Sequence, residues 1–273
     1  MKQVKRFLRP FVRRTFSART IQLLRFRYWC LSSYVPRQLS CRLVKHTPEV
    51  HGFGAAPGPS NLVRQLQNVN VSAPTEMCRV MTKCGSDKSW NKYTPLYSAL
   101  FRERNNQPLR IFELGLGSNN LDVLSNMGVF GVPGASLRAW RQLFPHALVY
   151  GADIDRRILF EEDRLKTFHC DQLDRSSIRE LWSQPDLRTG LDIIIEDGLH
   201  TFEGNTSFLE ESLDHLRPGG IYVVEDIGWE DFTDWYERLE KVYSKQYPGY
   251  EFAFVVLANH GYNNLLVIRR SLG

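Results

Sequence analysis

The sequence predicts an α/β fold, in which a doubly wound and mainly parallel sheet closes with a C-terminal antiparallel hairpin. Short runs rich in β-branched residues, such as 193–195 and 221–224, are bounded by turn residues, as in strands buried on both faces. A segment with helical spacing separates these two runs, which implies a right-handed crossover and parallel pairing. Gly115 and Gly117 directly follow another such run. The organisation is therefore Rossmann-like.

The other elements follow in chain order. We predict strands at 109–114, 148–153 and 167–170, helices at 96–104, 137–144, 176–182 and 229–243, and final strands at 251–257 and 264–269. Ser136 is the expected N-cap of its helix. A short polar connection joins the last two strands, which indicates a hairpin at the edge of the sheet.

Three regions follow from composition: a basic amphipathic arm with a linker (1–58), a helical cap that carries a cofactor loop (59–105), and the main domain (106–273). Residues 1–48 contain 12 of the 35 Lys and Arg residues and no acid, so the rest of the chain, with 23 basic and 30 acidic residues, carries a net charge of −7. The linker is placed at 51–60, where Gly, Ala and Pro accumulate.

Apolar and aromatic residues alternate with the basic ones in the arm, but no apolar run approaches the roughly 20 residues of a membrane span. This pattern favours peripheral contact with an anionic membrane surface. A targeting segment and packing on a partner subunit stay open as alternatives, as does homo-oligomerisation. Nucleic acid is not expected as a partner, because no recognised binding module follows. Five scattered cysteines favour a reducing compartment, and hence the cytoplasm.

Carboxylates follow the two neighbouring strands with which the fold prediction began. Asp197 comes after one strand, and Glu225 and Asp226 end the next. These groups should meet at the carboxyl edge of the sheet, where they repel one another unless a cation neutralises them. Oxygen ligands suit Mg²⁺, and His200 could accept a proton near neutral pH. A simpler alternative is that the acids only cap helices.

A second candidate site precedes these carboxylates in the chain. The glycines after the first main-domain strand permit close approach of a ligand to the backbone. Asp153 and Asp155 end the next strand, at the spacing at which dinucleotide-type folds place an acid for ribose hydroxyls. Asp171 and Gln172 end the third strand. The insertion at 118–134 is longer than a nucleotide turn requires, which is typical of functional loops.

Several motifs in this order and spacing carry a family resemblance that covers about residues 80–268. They are Gly85-Ser-Asp-Lys88, Tyr93-Thr-Pro-Leu-Tyr97, Phe112-Glu-Leu-Gly-Leu-Gly117, Pro133-Gly-Ala-Ser-Leu-Arg-Ala-Trp140, Gly151-Ala-Asp-Ile-Asp155, Asp171-Gln172, Asp197-Gly-Leu-His200 and Gly219-Gly-Ile-Tyr-Val-Val-Glu-Asp226. The chain resembles class I S-adenosylmethionine-dependent methyltransferases, and within them the metal-dependent sugar O-methyltransferases of macrolide and polysaccharide biosynthesis.

The resemblance implies roles for the matching positions. Those for S-adenosylmethionine are Ser86 and Thr94 in the cap, Glu113, Gly115 and Gly117 at the methionine end, Asp153 and Asp155 at the ribose, and Asp171 and Gln172 near adenine. Asp197, Glu225 and Asp226 would hold Mg²⁺, and His200 would be the general base. Two departures concern the acceptor: Glu196-Asp-Gly-Leu-His200 stands where the family often has Asp-Asp-Gly-Ser-His, and the 118–134 insertion differs.

The functional prediction is therefore Mg²⁺-dependent O-methylation of a sugar hydroxyl on a glycan, glycolipid or glycosylated natural product. One alternative is a catechol-like O-methyltransferase, for which Trp90, Tyr93 and Trp229 would line the mouth of the site. Another is a non-catalytic protein that binds cofactor or glycan and acts as a scaffold. The intact acidic cluster argues against a scaffold, which has no reason to keep groups that repel one another.

Overall fold

A mixed sheet of nine strands organises the part of the chain that the computed structural model describes, residues 47–54, 60–257 and 263–272. The strands are β1 Glu49–Phe53, β2 Arg110–Leu114, β3 Leu148–Asp153, β4 Glu161–Glu162, β5 Leu165–His169, β6 Leu191–Glu196, β7 Leu216–Ile227, β8 Tyr250–Val256 and β9 Asn264–Arg270. Their order is β1-β8-β9-β7-β6-β2-β3-β5-β4. The predicted arm lies almost wholly outside the described residues.

The central strands are parallel, as predicted. β2 pairs with β3 and β6, β5 pairs with β3, and β7 pairs with β6, all in parallel. β9 returns antiparallel to β7, and β8 pairs antiparallel with β9. The order of the strands changes direction at β2, so the crevice beyond the carboxyl ends of β2 and β6 is the expected ligand position.

Helices cover both faces of this sheet. They are α1 Asn61–Gln67, α2 Glu76–Cys84, α3 Tyr93–Phe101, α4 Ala135–Leu143, α5 Arg175–Trp182, α6 Phe202–Ser212 and α7 Phe232–Arg238, which continues as a π-helical turn, Leu239–Tyr243, and a last turn, Ser244–Gln246. One buried cluster includes Leu62 of α1, Tyr97 of α3 and Ile111 of β2. A second cluster, on the other face, includes Phe112 and Phe208. The 59–105 segment therefore packs into the main core, and its boundary with the main domain stays a prediction.

Three details of the sequence prediction are wrong. Residues 51–53, assigned to the linker, belong to β1, which pairs with β8, so the C-terminal hairpin does not form the edge of the sheet. The Gly and Ala residues of the predicted linker obscured the short strand pattern at its start. Ser136 does not cap its helix, because the helix starts after Gly134 and the Ser136 hydroxyl donates to Glu113 instead. Helix α3, which the sequence predicted as a short amphipathic helix over 96–104, is buried almost throughout and is not amphipathic.

Among the described residues, no helix combines the length and the apolar character needed to span a bilayer.

Candidate active site

Asp197, His200 and Asp226 come together at the carboxyl edge of the sheet. One ligand atom from each lies within 4.8 Å of the others, and Nε2 of His200 is 3.9 Å from Asp197 Oδ1 and 3.8 Å from Asp226 Oδ2. His200 and Asp226 both have a φ of 54°, in the left-handed region that non-glycine residues seldom adopt. Such conformations concentrate at functional sites. Two carboxylates and one imidazole form a donor set that can hold a divalent cation.

Lys88 places a positive charge beside the carboxylates, where the sequence predicted Mg²⁺. Its ammonium group, 1% exposed, lies 2.6 Å from Asp197 Oδ2, 2.7 Å from Glu225 Oε2 and 3.2 Å from a Glu113 oxygen. Burial alone would lower the pKa of Lys88, but attraction to these three carboxylates outweighs it and raises the pKa well above its ordinary value. Lys88 therefore remains charged inside the protein.

Glu225 stands apart from the other two acids predicted to bind the metal. It is buried, and its oxygens accept hydrogen bonds from Lys88 and from the Tyr97 hydroxyl. The Tyr93 hydroxyl donates to Asp226 in the same way. Helix α3 thus directs two tyrosines, four residues apart on one face, onto neighbouring carboxylates of β7. Burial raises the pKa of Asp226 to about 6.

A small cavity adjoins this group, and four of the nine residues predicted to bind the cofactor line it: Ser86, Glu113, Gly115 and Gly117. It is lined by Gly85, Ser86, Asp87, Lys88, Glu113, Gly115, Leu116, Gly117, Met127, Val132, Ala135, Ser136 and Asp197. The 118–134 insertion contributes Met127 and Val132 to its wall. The glycine-rich turn, the cap loop and the insertion therefore meet around one space beside the candidate metal group.

Gly115 makes this close approach possible. Its φ of 91° lies in the left-handed region, and a Cβ at this position would lie 1.9 Å from the backbone oxygen of Asp197. The Asp197 amide in turn donates to Leu114 O at 2.9 Å. Only glycine allows the turn after β2 to pack against the turn after β6.

Glu113 forms part of the cavity wall, and both of its oxygens accept hydrogen bonds inside the protein. It is buried and accepts hydrogen bonds from Ser136 Oγ at 2.6 Å and Trp140 Nε1 at 2.5 Å. Desolvation raises its pKa, although Lys88 opposes that shift. Its role at the methionine end of the cofactor stays a prediction.

Asp153 and Asp155 lie beside the glycine turn. Asp153 Oδ2 accepts the Leu116 amide at 2.7 Å, and Oδ1 accepts the Asp155 amide at 2.8 Å. Asp155 accepts hydrogen bonds from Ser118 Oγ and Asn120 Nδ2, both at 2.7 Å. A hydrogen bond from the Arg157 guanidinium holds the pKa of Asp155 well below its usual range. Asp155 thus fixes the start of the insertion, and Asp153 fixes the glycine turn.

Gln172 and Asp171 hold the turns around the end of β5. Gln172 donates to Glu196 Oε1 at 2.7 Å and accepts the Leu199 amide at 2.9 Å. Its polar atoms thereby support the turn that leads to His200. Asp171 accepts the Leu173 amide at 3.0 Å and is partly exposed.

The two predicted cofactor residues of the cap differ in position. Ser86 lines the cavity and accepts the Lys88 amide at 3.3 Å, which begins the turn that carries Lys88. Thr94 is fully buried in α3, with its hydroxyl 3.0 Å from Cys78 Sγ of α2. Thr94 therefore joins two helices and is not among the residues that line the cavity.

Sequence reasoning gave Lys88 and Tyr97 no role in the site, and it placed Tyr93 only at the mouth of the site in the catechol-like alternative. A single lysine in a polar loop gives no sign that it will be buried. The four-residue spacing of the tyrosines was the one available signal, but it reveals their partners only after the helix is placed on the sheet.

The strand order, the final antiparallel hairpin and the crevice at the switch point are those of the class I methyltransferase fold. The MycE methyltransferase from the mycinamycin pathway, solved in complex with Mg and SAH, has this fold too. It aligns with a TM-score of 0.53 at 24% identity, over 73% of this chain and 56% of MycE.

Sequence comparison finds similarity to sugar O-methyltransferases. The chain is 36% identical over 136 residues to demethylmacrocin O-methyltransferase of Streptomyces fradiae, covering 50% of this chain and 31% of that enzyme. It is 30% identical over 222 residues to L-olivosyl-oleandolide 3-O-methyltransferase of Streptomyces antibioticus, covering 78% of this chain and 53% of that enzyme. The chain thus spans about half or less of the length of these relatives. The resemblance inferred from the motifs is confirmed, although no family model matches the chain.

Proposed function

We propose that this protein is a Mg²⁺-dependent O-methyltransferase that uses S-adenosylmethionine to methylate a sugar hydroxyl of a glycosylated small molecule. The observation that carries the proposal is the meeting of Asp197, His200 and Asp226 beside a glycine-lined cavity. The similar enzymes named above are sugar O-methyltransferases of glycosylated natural products, which supports the same class of acceptor.

The residues of the site are chemically suited to both Mg²⁺ and S-adenosylmethionine. The carboxylates of Asp197 and Asp226 are hard oxygen donors of the kind that Mg²⁺ prefers. Glu225 is the third predicted ligand, and it lies beside Asp226 in β7 but is held by Lys88 and Tyr97. Gly115 and Gly117 line the cavity beside these carboxylates. We assign the ribose hydroxyls to Asp153, which ends β3 and accepts the Leu116 amide of the same glycine turn.

When bound, S-adenosylmethionine would supply the methyl group, and Mg²⁺ would act as a Lewis acid toward the acceptor hydroxyl. The protein's own task is then alignment and proton removal. Nε2 of His200 lies 3.9 Å from Asp197 Oδ1 and 3.8 Å from Asp226 Oδ2, which supports a role in accepting the proton of a hydroxyl that enters between them. A general base of this kind contributes about 10² to 10⁴ in rate.

The catechol-like alternative is weakened by the position of Tyr93. This ring was expected to line the mouth of the site, but it is fully buried and its hydroxyl donates to Asp226. Trp90 and Trp229 remain exposed. Two exposed indole rings suit the apolar part of a glycosylated acceptor as well as an aromatic substrate.

Methyl transfer from labelled S-adenosylmethionine to deoxysugar-bearing macrolides tests the proposal, with a catechol as the competing acceptor. We expect product from the glycosylated acceptors that is lost with a chelator and restored by Mg²⁺. An Asp226→Ala variant should lose activity together with its response to metal. Metal-stimulated turnover in this variant would contradict the site, and turnover of the catechol alone would favour the alternative.

A further inference from the structure

Lys88 has a position that neither the motifs nor the proposed chemistry explains. Its three carboxylate partners come from three neighbouring strands: Glu113 from β2, Asp197 from the end of β6 and Glu225 from β7. An ammonium group has three donors, so one side chain joins three strand ends. Its loop also forms one wall of the predicted cofactor cavity.

The two oxygens of the Asp197 carboxylate have different neighbours. Oδ2 is held by Lys88 at 2.6 Å, while Oδ1 is the oxygen that faces His200. A carboxylate held through one oxygen presents the other in a fixed direction. Protein groups that orient metal ligands in this way typically contribute 10- to 100-fold to metal affinity.

We propose that Lys88 is a positioning residue for the metal site, which binds one oxygen of Asp197 and thereby directs the other toward the cation. This inference rests on the proposed function, since it presumes that Asp197 is a metal ligand. In this role Lys88 acts through Asp197 and not through contact with the acceptor or the metal.

The two possible roles of Lys88 predict opposite results. If Lys88 acts only as a nearby positive charge, its removal should tighten Mg²⁺ binding, because two cations at one site repel each other. If Lys88 positions Asp197, its removal should weaken Mg²⁺ binding. The direction of the change in affinity therefore distinguishes positioning from simple electrostatics.

The test is calorimetric titration of Mg²⁺ into the full-length protein, without cofactor or acceptor. We expect Lys88→Met to weaken binding about 10- to 100-fold. Lys166→Met is the matched control, because Lys166 also forms a 2.7 Å ion pair, with Asp186, but lies partly exposed outside the site. Its Mg²⁺ affinity should equal that of the native protein.

Removing a buried cation alone can prevent folding, so a charge-matched pair of variants completes the test. Glu113→Gln removes one buried negative charge, and Lys88→Met/Glu113→Gln removes the lysine as well, so the double variant keeps the native net charge of the cluster. We expect the double variant to bind Mg²⁺ about 10- to 100-fold more weakly than Glu113→Gln. Equal or tighter binding would overturn the inference, and so would a double variant that does not fold, because Lys88 would then serve the fold. Absence of Mg²⁺ binding by the native protein would instead contradict the proposed function.

Discussion

At the scale of single residues, His200 has two possible roles, as a metal ligand and as a general base. Its Nε2 atom lies close enough to Asp197 and Asp226 to be a metal ligand as well as a base. We assign it as the base, because the two carboxylates already supply the donors that Mg²⁺ prefers.

His200→Ala should therefore lower kcat by about 10² to 10⁴ while Mg²⁺ affinity changes little. Steady-state kinetics and calorimetry on the same preparation measure the two effects separately. His146→Ala, a change at an exposed histidine, serves as the control. A loss of Mg²⁺ affinity in His200→Ala, comparable with that of Asp226→Ala, would show that His200 is a ligand.

Glu196 gives a prediction about stability and pH. It is fully buried, its Oε2 has no hydrogen-bond partner among the described residues, and burial raises its pKa to about 7 from an ordinary value of 4.5. The folded state thus favours the protonated form. Stability from this group is fully present below pH 4.5 and is lost as the pH rises toward 7, because the unfolded chain releases the proton first.

Glu196→Gln removes this titration. Its free energy of unfolding, relative to the native protein, should increase by about 2 kcal/mol between pH 5.5 and pH 8. Urea denaturation at the two pH values measures the difference, and Glu180→Gln, at an exposed position, should show none. A difference that does not depend on pH would show that Glu196 is ionised in the folded protein.

At the scale of elements, helix α3 secures the acidic strand end through its tyrosines. The Tyr97 hydroxyl donates to buried Glu225, whereas the equally buried Tyr222 hydroxyl has no partner among the described residues. A hydrogen bond to a charged group contributes about 1.5 to 3 kcal/mol.

Tyr97→Phe should therefore lower the free energy of unfolding by about 1.5 to 3 kcal/mol. Tyr222→Phe is its matched control and should be neutral or slightly stabilising, because it removes a buried hydroxyl that has no described partner. Denaturant unfolding of both variants at pH 7.5 measures the contrast. Equal losses would mean that the Tyr97 contact contributes nothing beyond ring packing.

Most central strands could be predicted from sequence patterns, whereas β1 could not. β2, β3, β6 and β7 were predictable, because β-branched runs end at turn residues and carboxylates, and the crossover rule then fixes their parallel pairing. β1 was not predictable, since none of its five residues is fully buried and they show little periodicity beside a Gly and Pro segment.

The site was predictable where it depends on strand ends. Asp197 and Asp226 meet because β6 and β7 are neighbours, and Gly115 lies in the turn after β2, next to β6. Burial of Lys88 and Thr94 could not be foreseen, because it depends on how α2 and α3 pack against the sheet. Local sequence patterns do not predict that packing.

At the scale of the whole molecule, the basic arm remains a prediction, as does a cytoplasmic location with peripheral membrane contact. Twelve basic residues and no acid in 1–48 should bind anionic lipid, and each Lys or Arg near such a surface contributes about 1 kcal/mol. Since β1 belongs to the sheet, a truncated variant should begin at Thr47 to keep it.

We expect the full chain to sediment with phosphatidylserine vesicles at low salt, and the variant that begins at Thr47 to stay in the supernatant. Vesicles of phosphatidylcholine are the control and should bind neither. Equal sedimentation of both proteins with anionic vesicles would remove the membrane interpretation of the arm.

We propose that the protein holds a cofactor crevice and a separate metal group side by side. Calorimetric titration of S-adenosylmethionine, and then of Mg²⁺, into the native protein and an Asp197→Ala/Asp226→Ala variant tests this arrangement. We expect both proteins to bind the cofactor and only the native protein to bind Mg²⁺. Equal Mg²⁺ binding by both, or no cofactor binding by the native protein, would contradict the account.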